Sequence, residues 1–432
     1  MATHKSRKIS AEDLYKFQMI TSAQISPNGQ LGIYAIQRID QKTEKKYSNL
    51  WRVDLSNHQQ RQFTYGDHTD SSPCWSPDNS QIAFLSNRKN AEKPAQIFLI
   101  PSDGGEARQV CEIDGIIGEL SWSPDGKKLL CTVLKKDPEE LEREKDEQKK
   151  KLGVVSRHYQ RVFYKLDGYG YLPHERWHIW IIDVRSGKAK QLTDHPIFDE
   201  HFPAWSPDNQ WIAFISNHSA DPDANPDRDD IYIMSASGGD PRQLATPVGS
   251  KSQPSFSPDG KWLAYFGGEG ENQWYKNAGL WILSVDGSNP ATNLTEKYDI
   301  HTSSQTINDL GNPEFMSPTW SKDGKRLTFQ VVEHGKTSLK SIRQDGEDLQ
   351  TIIGDDGVVG SYTFDQEQQR LLYFWGAMND PGQLHCLDMK SMQSKPVTQL
   401  NHALLKSIDL GDMECLWIKG PDGNDLQGWV LK

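Results

Sequence analysis

The motif Trp122-Ser-Pro-Asp-Gly126 decides the fold, because close copies of it recur along the chain. Proline presets φ, serine and aspartate bond to nearby backbone, and glycine or asparagine tolerates a positive φ, so each copy predicts a hairpin turn. The seven copies that we align are Ile25–Gly29, Trp75–Asn79, Trp122–Gly126, Trp205–Asn209, Phe256–Gly260, Trp320–Gly324 and a degenerate one at Tyr362–Gln366. Such repetition predicts a repeat architecture.

An apolar alternating segment follows most copies and predicts a strand. These strands are expected at Gln81–Leu85, Lys128–Val133, Trp211–Ile215, Trp262–Phe266, Arg326–Val331 and Arg370–Phe374. A second pair of strands comes next, as at Gln96–Ile100 and Ala107–Val110. Four short antiparallel strands per repeat are typical of a propeller blade, so we predict an all-β, seven-bladed β-propeller of four-stranded antiparallel blades. The large aromatic residue before each turn should pack between neighbouring sheets, since a blade cannot bury its own faces alone.

The long gap between Trp122 and Trp205 predicts one blade that carries an insertion rather than an eighth blade. Within it, Asp137–Lys151 is almost wholly charged, which suits a solvated helix or a mobile loop. The predicted organisation is therefore an N-terminal segment at residues 1–21, the propeller at 22–400 with an insertion at about 135–175, and a linker with a terminal hairpin at 401–432.

Composition excludes several classes of function. The net charge of −11 disfavours nucleic acid and anionic membranes as partners. The five cysteines are scattered, without a C-x-x-C pair, and no apolar stretch approaches the length of a membrane span. We expect a cytoplasmic protein, and the sequence is compatible with a homo-oligomer.

One motif, His174-Glu175-Arg176-Trp177-His178, matches the H-E-x-x-H zinc signature. That chemistry requires a helix, on which histidines four residues apart face one metal. Here His178 opens the alternating run Ile179–Asp183, so we predict a strand and no metal site. A metallopeptidase remains an alternative only if the motif is helical.

Other catalytic signatures are absent from the sequence. No serine lies in a G-x-S-x-G elbow, and Gly267–Gly270 lacks the Lys-Ser/Thr that a phosphate-binding loop needs. We therefore predict no catalytic, cofactor or metal residues in 1–432, although a Ser-His-Asp set assembled from separate loops stays open.

Five further segments complete an ordered set of motifs along nearly the whole chain: Ile9–Leu14, Ser22–Gly29, Arg157–Tyr171, Asn293–Thr295 followed by Tyr298-Asp299, and the terminal segment Glu414–Lys432. This set resembles the N-terminal half of the prolyl oligopeptidase family of serine peptidases, in its acylaminoacyl-peptidase and dipeptidyl-peptidase branch. In similar proteins that last hairpin opens an α/β-hydrolase domain, which carries the catalytic residues. The resemblance also implies that the ring closes by packing, without a strand exchanged between the first and last blades.

These features lead to two hypotheses. In the first, the chain is the substrate-gating propeller of a longer peptidase that hydrolyses short peptides, is inactive alone and contacts its own C-terminal hydrolase domain. In the second, it is a complete, non-catalytic propeller that binds a peptide or protein. The apolar strand at Trp429–Leu431 favours the first, because a finished scaffold has little reason to end on an exposed edge.

The insertion supplies the candidate substrate-side residues Arg157, Arg161, Tyr164 and Tyr169. Arginine binds carboxylates and tyrosine offers mixed polar and apolar contacts, which suits peptide recognition. Ordinary surface packing is the alternative for all four.

Overall fold

The computed structural model describes residues 7–167, 170–273, 275–303 and 315–432. Antiparallel strands dominate this part of the chain and fall into successive groups of four. We number these groups sheet 1 to sheet 7 in chain order, and the strands of each sheet are numbered 1 to 4 in the same way.

The first four sheets contain the following strands. Sheet 1 comprises Met19–Ile25, Leu31–Ile39, Lys46–Asp54 and Gln60–Gln62. Sheet 2 comprises Asp70–Trp75, Gln81–Ser86, Gln96–Pro101 and Arg108–Gln109. Sheet 3 comprises Gly115–Trp122, Lys128–Lys135, Trp177–Asp183 and Ala189–Gln191. Sheet 4 comprises Glu200–Trp205, Trp211–Ser216, Asp230–Ser235 and Arg242–Gln243.

The last three sheets follow the same plan. Sheet 5 comprises Lys251–Phe256, Trp262–Gly267, Gly279–Ser284 and Thr292–Asn293. Sheet 6 comprises Thr319–Trp320, Arg326–Glu333, Lys336–Arg343 and Gln350–Ile353. Sheet 7 comprises Val358–Phe364, Arg370–Ala377, Asp380–Asp388 and Gln393–Pro396. Sheets 6 and 7 are joined into one eight-stranded sheet by a parallel pairing of Thr337 with Val358.

The sheets are arranged as a ring. The first strand of sheet 1 contacts the first strands of both sheet 2 and sheet 7, so the last sheet returns to the first. Within each sheet every strand pairs antiparallel with the next one along the chain, which leaves the short fourth strand at an edge. This arrangement confirms the predicted all-β, propeller-like architecture.

The recurring turns have the predicted geometry. In sheet 3 the Gly126 amide donates to the Ser123 carbonyl at 2.9 Å, and the Ser123 hydroxyl donates to Asp125 Oδ1 at 2.7 Å. Lys128 N in turn donates to Ser123 Oγ, which fixes the start of strand 2. Because the turn sets where the next strand begins, strand 2 starts at the predicted residue in sheets 2 to 7.

The alignment of the seventh copy was wrong by two residues. The hydrogen bond that closes this turn runs from the Gln368 amide to the Asp365 carbonyl, and Gln368 has φ 52°. Asp365 therefore takes the place of the serine and Phe364 that of the aromatic residue. Tyr362, which we had aligned instead, is buried in strand 1 and donates its hydroxyl to the Thr328 carbonyl.

Aromatic residues pack between sheets, as the repeats predict. Trp122 joins a buried cluster that contains Ala83 and Leu99 of sheet 2 and Leu129 of sheet 3. Its Nε1 donates to the Cys74 carbonyl of sheet 2 at 3.0 Å. The ring is therefore held by apolar contacts between neighbours, the dominant favourable contribution to folding.

The ring closes without exchange of a strand among the described residues, because sheets 1 and 7 are each built from consecutive strands. Leu372 and Leu384 of sheet 7 pack in one core cluster with Ile25 of sheet 1. Two hydrogen bonds add to this packing: Ile25 N donates to Thr363 Oγ1, and Arg370 Nη1 donates to the Gly29 carbonyl.

Several short elements lie outside the seven sheets. The inserted segment contains helix α1 (Pro138–Lys145), helix α2 (Glu147–Leu152) and the paired strands Lys165–Leu166 and Gly170–Tyr171. The ends of the chain contain strand Arg7–Lys8 paired with Ile408–Asp409, a 3-10 helix (Ala11–Lys16), helix α3 (His402–Leu405) and a hairpin of Met413–Lys419 with Asp425–Leu431. Helices α1 and α2 bury no side chain, so of the two forms expected from their charge, a solvated helix or a mobile loop, the structure has the helix. No helix in the described ranges is long and apolar enough to cross a membrane.

Candidate functional site

Topology places the insertion and the terminal hairpin at the same end of the ring. Each Ser-Pro-Asp-Gly turn joins strand 1 to strand 2, and we call the end that carries these turns the turn face. Because successive strands run in opposite directions, the connections from strand 2 to strand 3 lie at the other end, which we call the insertion face. The inserted segment 136–176 joins strands 2 and 3 of sheet 3, and the hairpin follows strand 4 of sheet 7.

A cluster of four charges on the insertion face connects the insertion to sheet 4. Arg161 pairs with Asp223 through two contacts of 3.1 Å, from Nε to Oδ2 and from Nη2 to Oδ1. Arg176 Nη1 lies 2.9 Å from Asp199 Oδ2 and 3.7 Å from Asp223 Oδ1. Burial favours a raised pKa for Asp223, but the hydrogen bond and charge of Arg161 outweigh it and leave the pKa lowered. Asp223 is therefore a carboxylate at neutral pH.

A second buried group lies between sheets 3 and 4. His178 Nδ1 is 2.7 Å from Glu200 Oε2, and the Thr193 hydroxyl donates to the same oxygen at 2.9 Å. All three side chains are almost fully buried. Sheet 2 has a related group, in which the Thr64 hydroxyl donates to the buried Asp70. Each acid begins strand 1 of its sheet, so the group fastens one sheet to the next.

Sheet 5 has a buried lysine at the corresponding position. Lys251 Nζ donates to the carbonyls of Asp229 at 2.5 Å and of Gly249 at 2.9 Å, and it lies 3.9 Å from Asp230 Oδ1. Burial lowers the pKa of Lys251, against the opposing charges of Asp230 and Asp229. Burial also raises the pKa of Asp229 to about 6. A hydrogen bond from the Lys251 amide and the positive charge of the Lys251 side chain partly offset this rise.

Arg161, Asp199, Asp223 and Asp229 border a cleft of about 450 Å³ between the insertion and sheet 4. Its apolar walls include Phe163 of the insertion, Trp177 of sheet 3 and Ile215 of sheet 4. Arg161 and Asp229 supply charge to the same cleft. Concave, mainly apolar sites with a few placed polar groups are typical of binding sites, so we treat this cleft as the candidate functional site.

The candidate substrate-side residues lie in and beside the cleft. Arg161 lies in its wall, and Arg161 and Arg157 together also line a second pocket of the insertion. The Arg157 guanidinium stacks 4.1 Å from the centre of the Tyr171 ring, and the Tyr164 ring lies 4.7 Å from that of Tyr159. Tyr169 lies outside the described residues.

The H-E-x-x-H motif does not form a helix. His174 lies in a bend, where its main-chain amide donates to Asp137 Oδ1 at 2.8 Å. His178 lies in strand 3 of sheet 3 and pairs with Glu200, which confirms the predicted strand. The described part of the chain holds no group of three or more His, Cys, Asp or Glu side chains arranged to bind a metal. The two histidines therefore have separate structural partners.

Sequence reasoning missed the acids that line the cleft, namely Asp199, Asp223 and Asp229. It also missed the buried Glu200 and Lys251 at the starts of sheets 4 and 5. One available signal is a threonine two residues beyond strand 4, since Thr64 and Thr193 each accept a hydrogen bond from strand 3 and donate to an acid of the next sheet. The acids in the loop 221–230 were visible in the sequence, but their partners are distant along the chain.

The chain is similar to peptidases along most of its length. Residues 3–159 match the model of the TolB beta propeller domain family. The chain is 30% identical over 98% of its length to the uncharacterized peptidase YuxL of Bacillus subtilis, and 24% identical over 99% to dipeptidyl-peptidase 5 of Porphyromonas gingivalis. These matches confirm the resemblance to the prolyl oligopeptidase family. The chain spans 63% and 61% of the lengths of these two relatives.

Solved structures support the propeller-like fold. The acylaminoacyl peptidase of Pyrococcus horikoshii superposes with a TM-score of 0.74 at 18% identity, covering 98% of this chain and 59% of that one. The beta-propeller domain of the Trilobed protease from Pyrococcus furiosus, whose structure is described as an open velcro topology, gives a TM-score of 0.59 at 18% identity over 90% of this chain and 97% of that one. Its described topology agrees with a ring that closes here without strand exchange.

Proposed function

We propose that this chain is the seven-bladed propeller of a serine peptidase that hydrolyses short peptides, and that the propeller restricts which peptides reach the catalytic site. The observation that carries the proposal is the match to peptidases over nearly the whole chain, while the chain spans about three fifths of their length. Sheets 1 to 7 would each be one blade. The cleft beside the insertion would then contact the peptide.

The terminal hairpin supports a hydrolase domain as the partner. Trp429 packs against Gly335, where an added Cβ would collide with the indole, and the Trp417 ring lies 5.3 Å from that of His334. One face of the hairpin therefore rests on sheet 6. The other face carries the exposed residues Leu416, Ile418, Leu426 and Val430. An apolar face of this kind usually marks a contact surface, which the hydrolase domain would cover.

The parent protein would act by the serine peptidase mechanism, with the nucleophile, base and orienting acid supplied outside residues 1–432. The propeller would bind and select, and Arg157, Arg161 and Tyr164 would lie on the substrate side. We propose a cytoplasmic location on the basis of five free cysteines, since disulfides are rare in reducing compartments. The alternative is a non-catalytic propeller that binds a peptide in the cleft.

Activity of the purified chain tests this proposal. Fluorogenic acyl-amino-acid and dipeptide substrates would be tested with and without a serine-reactive phosphonate and a chelator. We expect no turnover by residues 1–432, and turnover blocked by the phosphonate in a protein that continues into a hydrolase domain. Turnover by this chain alone would contradict the proposal. A coding sequence that stops directly after Lys432 would favour the peptide-binding alternative.

A further inference from the structure

Residues 153–163 of the insertion cross from helix α2 to the cleft without regular secondary structure, and we call them the strap. Five of their apolar side chains are exposed, namely Val154, Val155, Tyr159, Val162 and Phe163. The strap therefore gains little from burial of apolar surface, which is the usual reason for a segment to keep one position. Arg161 and Phe163 of the strap also form part of the wall of the cleft.

The polar contacts between the strap and sheet 4 that the described residues contain all end on two acids. Arg161 makes its two-pronged pair with Asp223 and approaches Asp199 at 3.9 Å. The Phe163 amide donates to the same Asp223 at 3.3 Å. Asp223 belongs to the loop between strands 2 and 3 of sheet 4, so these contacts join the insertion to another sheet. One carboxylate thus holds the end of the strap.

The neighbouring guanidinium makes this contact easy to release. Arg176 lies 2.9 Å from Asp199 and 3.7 Å from Asp223, and it directly precedes strand 3 of sheet 3, which anchors it to the ring. If Arg161 withdraws, both acids keep a cationic neighbour. Release of Arg161 therefore avoids the large free-energy penalty of an unpaired buried carboxylate, and the released Arg161 guanidinium becomes hydrated.

We propose that the strap is a gate for the cleft and that the Arg161–Asp223 pair is its latch. With the pair formed, Phe163 closes one side of the cleft. With the pair broken, the strap swings away, the cleft widens, and Arg176 holds Asp199 and Asp223 in place. The gate is a property of this chain, and it stands or falls independently of the peptidase activity proposed above.

Limited chymotrypsin digestion of residues 1–432 tests the latch. Mass spectrometry would compare the rate of cleavage after Phe163 with the rate after Phe266, which is buried in sheet 5. In Arg161→Ala we expect the ratio of the two rates to rise about tenfold, because a charge-assisted pair is lost from the strap alone. Asp223→Asn should raise the ratio similarly, and Arg161→Lys should give an intermediate value, since lysine lacks the planar fork.

Arg157→Ala is the matched control. Arg157 lies on the same strap, but its guanidinium stacks on Tyr171. We expect the ratio of cleavage rates in this variant to stay within about twofold of the wild-type value, because an exposed cation over an aromatic ring contributes little to stability. A general loss of stability would speed cleavage after the buried Phe266 at least as much as cleavage after Phe163, so it would not raise the ratio. An unchanged ratio in both Arg161→Ala and Asp223→Asn would overturn the proposal.

Discussion

The two faces of the ring are built on different principles. On the turn face, short turns of nearly one sequence repeat, and side chains of some turns bond to the turn before: Asn28 N donates to Asn79 Oδ1, Asp125 N to Asn209 Oδ1, and Lys322 N to Gln368 Oε1. On the insertion face, connections differ in length and carry Arg161, Asp223 and Asp229. The residues of the turn face are restricted, because each turn requires particular residues for its backbone conformation. The loops of the insertion face can differ in length and sequence, and they therefore carry the candidate site.

The largest effect is expected from the packing that both faces share. Trp122→Ala should lower the free energy of unfolding by about 4 kcal/mol, because it leaves a cavity between sheets 2 and 3. Trp211→Ala is the matched control, since the Trp211 side chain is 45% exposed and should cost less than about 1 kcal/mol. Urea unfolding followed by circular dichroism would measure both. Equal losses would show that the rings between sheets do not hold the propeller together.

The next effect concerns the buried acid at the start of sheet 4. Glu200→Ala removes the partner of His178 and Thr193 and should destabilise the protein by about 3 kcal/mol, as for a broken buried pair. Glu147→Ala, on the exposed helix α2, should change stability by less than about 0.5 kcal/mol. A small loss for Glu200→Ala in the same urea experiment would mean that this group does not fasten sheet 3 to sheet 4.

A smaller effect on stability is expected on the turn face, where two variants of Asn209 distinguish the contribution of backbone conformation from that of a hydrogen bond. Asn209 has φ 62° and accepts a hydrogen bond from the Asp125 amide of sheet 3. Asn209→Gly keeps the backbone conformation and loses the bond, which should cost about 1 kcal/mol. Asn209→Ala loses the bond and adds strain at positive φ, so it should cost about 1 kcal/mol more. Identical thermal unfolding midpoints for the two variants would show that strain at positive φ does not destabilise Asn209→Ala.

The insertion face should respond to pH through Asp229. Its folded-state pKa of about 6 exceeds the ordinary value of 3.8, so the folded protein holds this proton more tightly than the unfolded chain does. The contribution of the protonated Asp229 carboxyl group to folding stability is fully present below pH 3.8 and is lost as the pH rises through 6. Relative to the wild type, Asp229→Asn should gain stability over this range by at most about 1.4 kcal/mol per pH unit.

Urea unfolding at pH 4.5 and pH 7 would measure this gain. Asp221→Asn is the control, because Asp221 is exposed in the same loop. A difference between wild type and Asp229→Asn that does not change with pH would contradict the raised pKa.

The sequence by itself determined the turns and the strands that follow them. These depend on local chemistry, because Ser-Pro-Asp-Gly encodes its own backbone geometry and each turn fixes the start of the next strand. The seventh copy shows the limit. Its turn has lost the local signature, and Gln368 keeps a positive φ while its side chain bonds to Lys322 N and the Trp320 carbonyl of sheet 6. Its register was therefore not readable from its own residues.

Only the tertiary structure decided how the candidate site is assembled. Arg161 was visible as a cation in the insertion, but its partner Asp223 is 62 residues away along the chain. Lys251 and Asp229 look like ordinary surface charges in the sequence, but in the folded protein Lys251 is buried and Asp229 is half-buried, because sheets 4 and 5 pack against each other. The charge environment and burial of such residues depend on which loops the ring brings into contact, and no local sequence pattern encodes contacts between loops that are distant along the chain.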